Sequence, residues 1–145
     1  MTDLSRFHDA QGQGVQARAE AELRAGAKVS HWMWFVFPQL AALGRSGTAR
    51  HYGIRDLAEA RAYLADPVLA ANLRRAAEAM LTQAGRPAAA VLGGIDALKL
   101  RSSATLFREA GGGAVFQALL DAFYDGAPDP LTLQALHPDK NIPGE

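Results

Sequence analysis

Two Asp-Pro pairs, Asp66-Pro67 and Asp129-Pro130, and glycines at 12, 14, 26, 44, 47, 85, 93, 94 and 111–113 cut the chain into short pieces. Each Asp-Pro pair reads as a helix start. The carboxylate caps the first turn, and proline takes the first helical position, where its missing N–H costs nothing. Between the stops, apolar residues recur at three- and four-residue steps, the period of a helix with one buried face. Thirty residues are alanine, a strong helix former that buries little area, whereas Val and Ile are scarce. The expected fold is an all-α single domain of six to eight short helices around one core. It covers residues 1–136, and a loose tail, 137–145, follows.

The spacing predicts a first helix opening at Thr2 or Asp3 with Leu4 and Phe7 inward. A second covers about Val15–Ala25, with Val15, Ala19 and Leu23 inward and Gly26 as a left-handed cap. Residues 44–47 read as a loop. Asp56-Leu57-Ala58-Glu59 has capping-box spacing ahead of a face made by Leu57, Ala60 and Leu64. The helix after Pro67 runs to about Gln83 and buries Leu69, Leu73, Ala76, Ala77 and Met80. Ala88–Leu92 is a short helix stopped by Gly93-Gly94. Ser102 or Ser103 opens the next, with Leu106 and Phe107 inside. Ala114–Tyr124 buries Phe116, Leu119, Leu120 and Phe123, and a final turn or two carries Leu133 and Leu136.

With 145 residues, 15 basic and 15 acidic side chains and zero formal charge, bulk electrostatics gives no hold on nucleic acid or an anionic membrane. The absence of cysteine excludes disulfides, thiolate zinc sites, iron–sulfur clusters and cysteine nucleophiles. The longest apolar run, residues 32–37, is six residues, far short of a membrane span. Met1-Thr2-Asp3-Leu4 lacks the basic region of a secretory signal, so a cytoplasmic location is expected. Gly44-Arg45-Ser46-Gly47-Thr48 lacks the lysine and spacing of a P-loop, and no GxSxG elbow occurs. His8, His31, His51 and His137 have no HExxH or other short spacing. Neither a metal nor a cofactor is expected.

Two segments carry what chemistry the sequence offers. Four of the eleven aromatic residues fall within residues 32–37: Trp32, Trp34, Phe35 and Phe37. Periodicity over so short a run permits helix or strand, with Ser30 as a cap and Pro38 as a stop favouring a short helix. The segment can be plain core. Its tryptophans can equally wall a pocket, with His31 and Gln39 as polar flanks and indole N–H groups in need of an acceptor. The second segment, Lys99-Leu100-Arg101-Ser102-Ser103-Ala104-Thr105, puts two cations and two hydroxyls at an expected helix start. Free N–H groups, the helix dipole and those cations would together receive phosphate or carboxylate, although plain capping explains the same residues. Asp56, Glu59 and Asp96 are the nearby carboxylates, each equally a helix start.

His31-Trp32-Met33-Trp34-Phe35-Val36-Phe37-Pro38-Gln39, then Glu59-Ala60-Arg61-Ala62-Tyr63-Leu64 with Pro67-Val68-Leu69, then residues 96–107, resemble the bacterial domain-of-unknown-function family 1810. The resemblance spans about residues 3–136 and implies an all-α, orthogonally packed single domain. Ala104 stands where a larger residue such as Met is the family's pattern, and no role depends on it. Some members carry a calpastatin label, but the family brings no activity to transfer. A looser likeness links the segments to small helical proteins that handle NAD or ADP-ribose and pair tryptophan with basic residues.

Two readings stay open. In the first, residues 32–39 and 99–103 face one cleft for a small anionic ligand, nucleotide-like or sugar-phosphate. Trp32 or Trp34 stacks on its ring beside Gln39, and Lys99, Arg101, Ser102 and Ser103 hold the anion. If chemistry occurs, His31 or Asp96 is the acid or base, and hydrolysis of a glycosidic bond is the natural reaction. In the second, the chain is a non-enzymatic interaction domain, monomer or homodimer, whose aromatic segment is core or partner surface. The first needs the two segments to meet around open space. The second needs an exposed apolar patch or a tryptophan buried without a cavity.

Overall fold

In a computed structural model describing residues 3–138, Ser46, Asp56, Asp66 and Asp129 cap helix starts, and Gly12, Gly26 and Gly93 follow helix ends. Helix α1 (Ser5–Gln11) opens where Asp3 Oδ1 accepts from the Ser5 N–H at 2.9 Å. Helix α2 (Val15–Ala25) ends in Gly26, whose φ of 83° lets its N–H reach back to the Glu22 and Leu23 carbonyls. The aromatic turn is α3 (Met33–Val36), followed by a 3-10 turn (Ala41–Leu43) and α4 (Gly47–His51), which Ser46 caps. Helices α5 (Leu57–Ala65), α6 (Pro67–Leu81) and α10 (Pro130–Leu136) start on Asp56, Asp66 and Asp129, each accepting first-turn N–H groups. Between them lie α7 (Ala88–Leu92), α8 (Gly94–Glu109) and α9 (Ala114–Tyr124).

The chain is an all-α single domain, with ten α-helices and no strand among the described residues. The count exceeds six to eight partly because α4 forms over residues 47–51, just after the expected loop, where no helix was expected. Among the described residues no helix is long and apolar enough to cross a membrane.

The core lies between α6 and α8. Helix α6 packs on α2, α5 and α9, and α8 packs on α5, α7, α9 and α10. Leu69, Leu73, Ala76, Ala77 and Met80 of α6 are all buried, as their spacing predicts. Aromatic rings join the inner faces: Phe7 meets Tyr63 edge-on at 5.1 Å, Tyr63 meets Phe107 at 5.2 Å, and Phe107 meets Phe116 at 5.7 Å. Gln11 satisfies the polar groups there, donating to the Tyr63 hydroxyl and the Phe35 carbonyl and accepting from Asn72. Burial pushes the Tyr63 hydroxyl's pKa well up, so it stays neutral.

On α5 the buried face is Glu59, Ala60 and Tyr63, with Leu57 and Leu64 only half-buried. A carboxylate can sit inside because Glu59 Oε1 accepts from Arg6 and from the Arg55 N–H, each at 2.9 Å. Nearby, the Ala41 N–H reaches the Ile54 carbonyl and the Ile54 N–H reaches the Gln39 carbonyl, both at 2.8 Å. This contact brings Gly53 so close that an added Cβ would lie 2.4 Å from Ala41 Cα. Glycine is therefore required there, and the pairing fixes residues 39–43 at the edge of the site. At the other end, His137 Nε2 lies 2.9 Å from Glu109 Oε1, tying the end of α10 to the end of α8. Thr2 and residues 139–145 of the expected tail lie outside the described residues.

Candidate functional site

Helix α8 sets the site. Gly93, at φ 86°, separates it from α7, and from Ala97 a stripe of Ala97, Leu100, Ala104 and Phe107 is buried at helical spacing. The helix therefore opens at Gly94, and Ser102 and Ser103 lie in its interior rather than at its start. Their N–H groups are spent on the helix ladder, so the anion site expected from a Ser102 or Ser103 cap does not form. Ser102 Oγ instead donates toward the Leu98 carbonyl at 3.3 Å and Asp129 Oδ2 at 3.2 Å. Ser103 Oγ is buried with no partner among the described residues. Arg101 is also diverted: its guanidinium donates to the Ala127 and Pro128 carbonyls, each at 3.0 Å, fastening α8 to the loop before α10.

The aromatic segment divides. Trp32 is 1% exposed, its indole N–H donates to Glu22 Oε1 at 2.9 Å, and Lys28 Nζ stands 5.2 Å from its ring centre. Ser30 does not cap α3; its hydroxyl and N–H, with the Val29 N–H, also serve Glu22. Burial raises the Glu22 pKa, but these hydrogen bonds outweigh it and bring the value down to about 2. Trp32 is thus core, not pocket wall. Trp34 is half-buried and faces open space.

That space is a hollow of about 400 Å³ between Trp34, His31, Lys28 and the first turn of α8. Asp96 lies 2.9 Å from Lys28 Nζ through Oδ2 and 3.5 Å from Lys99 Nζ through Oδ1. Lys99 Nζ also stands 5.3 Å from the Trp34 ring centre. Two ammonium groups thus share one carboxylate, Lys28 on the lining of this hollow and Lys99 beside it. The N–H groups of Gly94, Ile95 and Asp96 have no acceptor among the described residues.

A second hollow, about 600 Å³, opens beside it between the 3-10 turn, α4, α8 and α10. Gln39, Leu43, Arg45, Leu98, Ser102 and Leu131 contribute to its lining, and Ile95 borders both hollows. The two segments border two adjacent hollows, with His31, Trp34 and Asp96 on the first and Gln39, Lys99 and Ser102 on the second. Trp34, His31 and Gln39 come from one side, and Asp96, Lys99 and Ser102 from the other. Trp32, Arg101 and Ser103 take no part.

Sequence reasoning missed Lys28, Ile95 and Leu98. The last two had a signal: extending the buried stripe of α8 back to Gly94 turns both outward. Lys28 had none, because it reaches the site through its N–H on the Val91 carbonyl at 2.8 Å, a contact far apart in the chain. Among the described residues, no group of three or more His, Asp or Glu is placed to hold a metal, and no serine or threonine hydroxyl bonds a histidine.

Fold and cleft together define a small all-helical domain with a tryptophan-edged hollow that carries Lys28 and Asp96, beside a second one lined by Arg45, Lys99 and aliphatic side chains. The family described as "Protein of unknown function (DUF1810)" matches residues 1–136, and the chain belongs to that family. It is similar in structure to the conserved hypothetical protein Rv1873 from Mycobacterium tuberculosis, with 44% identity and a TM-score of 0.88 over 92% of this chain and 96% of that one. No curated protein matches the chain.

Proposed function

We propose that this protein binds a small anionic ligand, nucleotide-like or sugar-phosphate, at Trp34 and Lys99. One observation carries the reading: the Lys99 ammonium lies over the Trp34 ring, and it shares Asp96, its one counter-ion among the described residues, with Lys28 at the edge of an open hollow. Trp34 would take a planar or sugar face, and the two lysines would take the anion. Asp96 acts as the counter-ion that positions them, and His31 stands exposed at the rim. Thermal-shift and calorimetric titration with ADP-ribose, AMP and sugar phosphates tests this. At least one should raise Tm, and Lys99→Ala should weaken its binding about tenfold or more, the scale of one charge-assisted hydrogen bond. Arg101→Ala should leave affinity unchanged. No shift with any of these ligands, or binding indifferent to Lys99→Ala, defeats the reading.

A second reading, an interaction domain pairing with its own copy, is favoured by Ile95, Leu98 and Leu131, which are 74%, 68% and 63% exposed around the second hollow. Sedimentation velocity separates the two. A dimer that Leu98→Asp splits supports this reading, and a monomeric wild-type chain counts against it.

A further inference from the structure

Five large apolar residues stand exposed among the described residues, and three of them, Ile95, Leu98 and Leu131, border the second hollow. Apolar residues scattered singly over a surface need no explanation, but three gathered round one concavity do. Ile95 and Leu98 lie three positions apart on α8, hence on one face of it. Leu131 reaches them from α10, and that helix is fixed in place because its cap, Asp129, accepts from Ser102 Oγ at 3.2 Å, the Thr132 N–H at 3.0 Å and Thr132 Oγ1 at 2.6 Å. The apolar wall is therefore set before anything binds.

The charge around it is one-sided. Arg45 on the rim has no ion pair among the described residues, and Lys99 has only its long, shared contact with Asp96. Asp129, the one carboxylate on this lining, is occupied by Ser102 and Thr132. A ligand here meets a cation at the end nearest Trp34 and aliphatic surface beyond it. A ribose or hexose would leave that surface wet.

We infer that the ligand is an amphiphile, with a phosphate or carboxylate head at Lys99 and an aliphatic chain lying over Ile95, Leu98 and Leu131. This rests on the anion-binding reading above and extends the small anion it places at Lys99 with a hydrocarbon chain. The test is calorimetric titration of the full chain with octyl phosphate, kept below its micelle concentration, against ethyl phosphate. Octyl phosphate should bind at least about tenfold more tightly, because several methylenes leave water. Its amide shifts by NMR should centre on residues 95–99 and 131. Leu98→Gln, at a site exposed enough to leave the fold intact, should abolish most of the difference while sparing ethyl phosphate. Lys99→Met should weaken both. Equal affinity for the two phosphates, with both weakened by Lys99→Met, overturns the chain inference and leaves the anion reading standing. No binding of either phosphate, or binding indifferent to Lys99→Met, overturns both. Octanol binding as tightly as octyl phosphate overturns the head-group assignment.

Discussion

Trp32 and Trp34 are two residues apart, and each has a lysine ammonium near its ring, at 5.2 and 5.3 Å. Asp96 contacts both of those lysines. The immediate contacts are thus nearly the same, yet Trp32 is buried core and Trp34 lines a hollow. What differs is the polar closure around each. Residues 28–30 fold over Trp32, and Glu22 answers its indole N–H along with three other donors. Trp34 faces the first turn of α8, whose glycines bring no side chain to close the space. Trp34 borders open space because its neighbours leave room, not because of its type or its cation.

The largest expected effect tests that contrast directly. Trp32→Ala should cost about 3–5 kcal/mol in urea denaturation, the usual loss for truncating a buried large aromatic. Trp34→Ala should cost about 1 kcal/mol or less while removing ligand binding. Equal losses from the two would break the comparison. Glu22→Gln comes next, at about 1–3 kcal/mol, because one amide cannot serve four donors and the buried indole N–H is the most costly to leave unpaired. Its pH dependence has a definite sign. The folded pKa of about 2 lies below the ordinary 4.5, so the ionised carboxylate stabilises fully above about pH 5 and progressively less as pH falls toward 2. The gap between wild type and Glu22→Gln should shrink across that window. A gap of constant size down to about pH 2 would show that ionisation is not what closes the Trp32 side.

Much of the fold was legible because capping is local. Gly26, Asp56, Asp66 and Asp129 mark helix ends through groups two to four residues away, and all four do so in the structure. The start of α8 was misread because Ser102-Ser103 looks like a cap, whereas the stripe Ala97, Leu100, Ala104 and Phe107 already demanded a helix there. The site was legible in part. Of the residues named from type alone, Trp34 and Asp96 line the first hollow and Gln39 and Lys99 the second. Residue type could not separate Trp34 from Trp32, because six residues define no period and the deciding partner, Glu22, lies on another helix. Nor could it reject Arg101, whose acceptors are carbonyls of a loop more than twenty residues away.

Ser102 and Ser103 repeat the tryptophan contrast on a smaller scale. Both are buried in the middle of α8, but Ser102 joins the cap of α10 through Asp129, and Ser103 Oγ has no partner among the described residues. Ser102→Ala should therefore cost about 1 kcal/mol, the net worth of one hydrogen bond. Ser103→Ala should go the other way. It removes a buried hydroxyl that pays desolvation without compensation, and it adds helix propensity at an interior position. A gain of up to about 1 kcal/mol is expected, seen as a rise in Tm by calorimetry. The cavity left by one oxygen is too small to reverse that sign. A loss from Ser103→Ala as large as that from Ser102→Ala would mean the hydroxyl has a partner in solution, a bound water or an inward ligand group, and would put Ser103 back among the residues of the site.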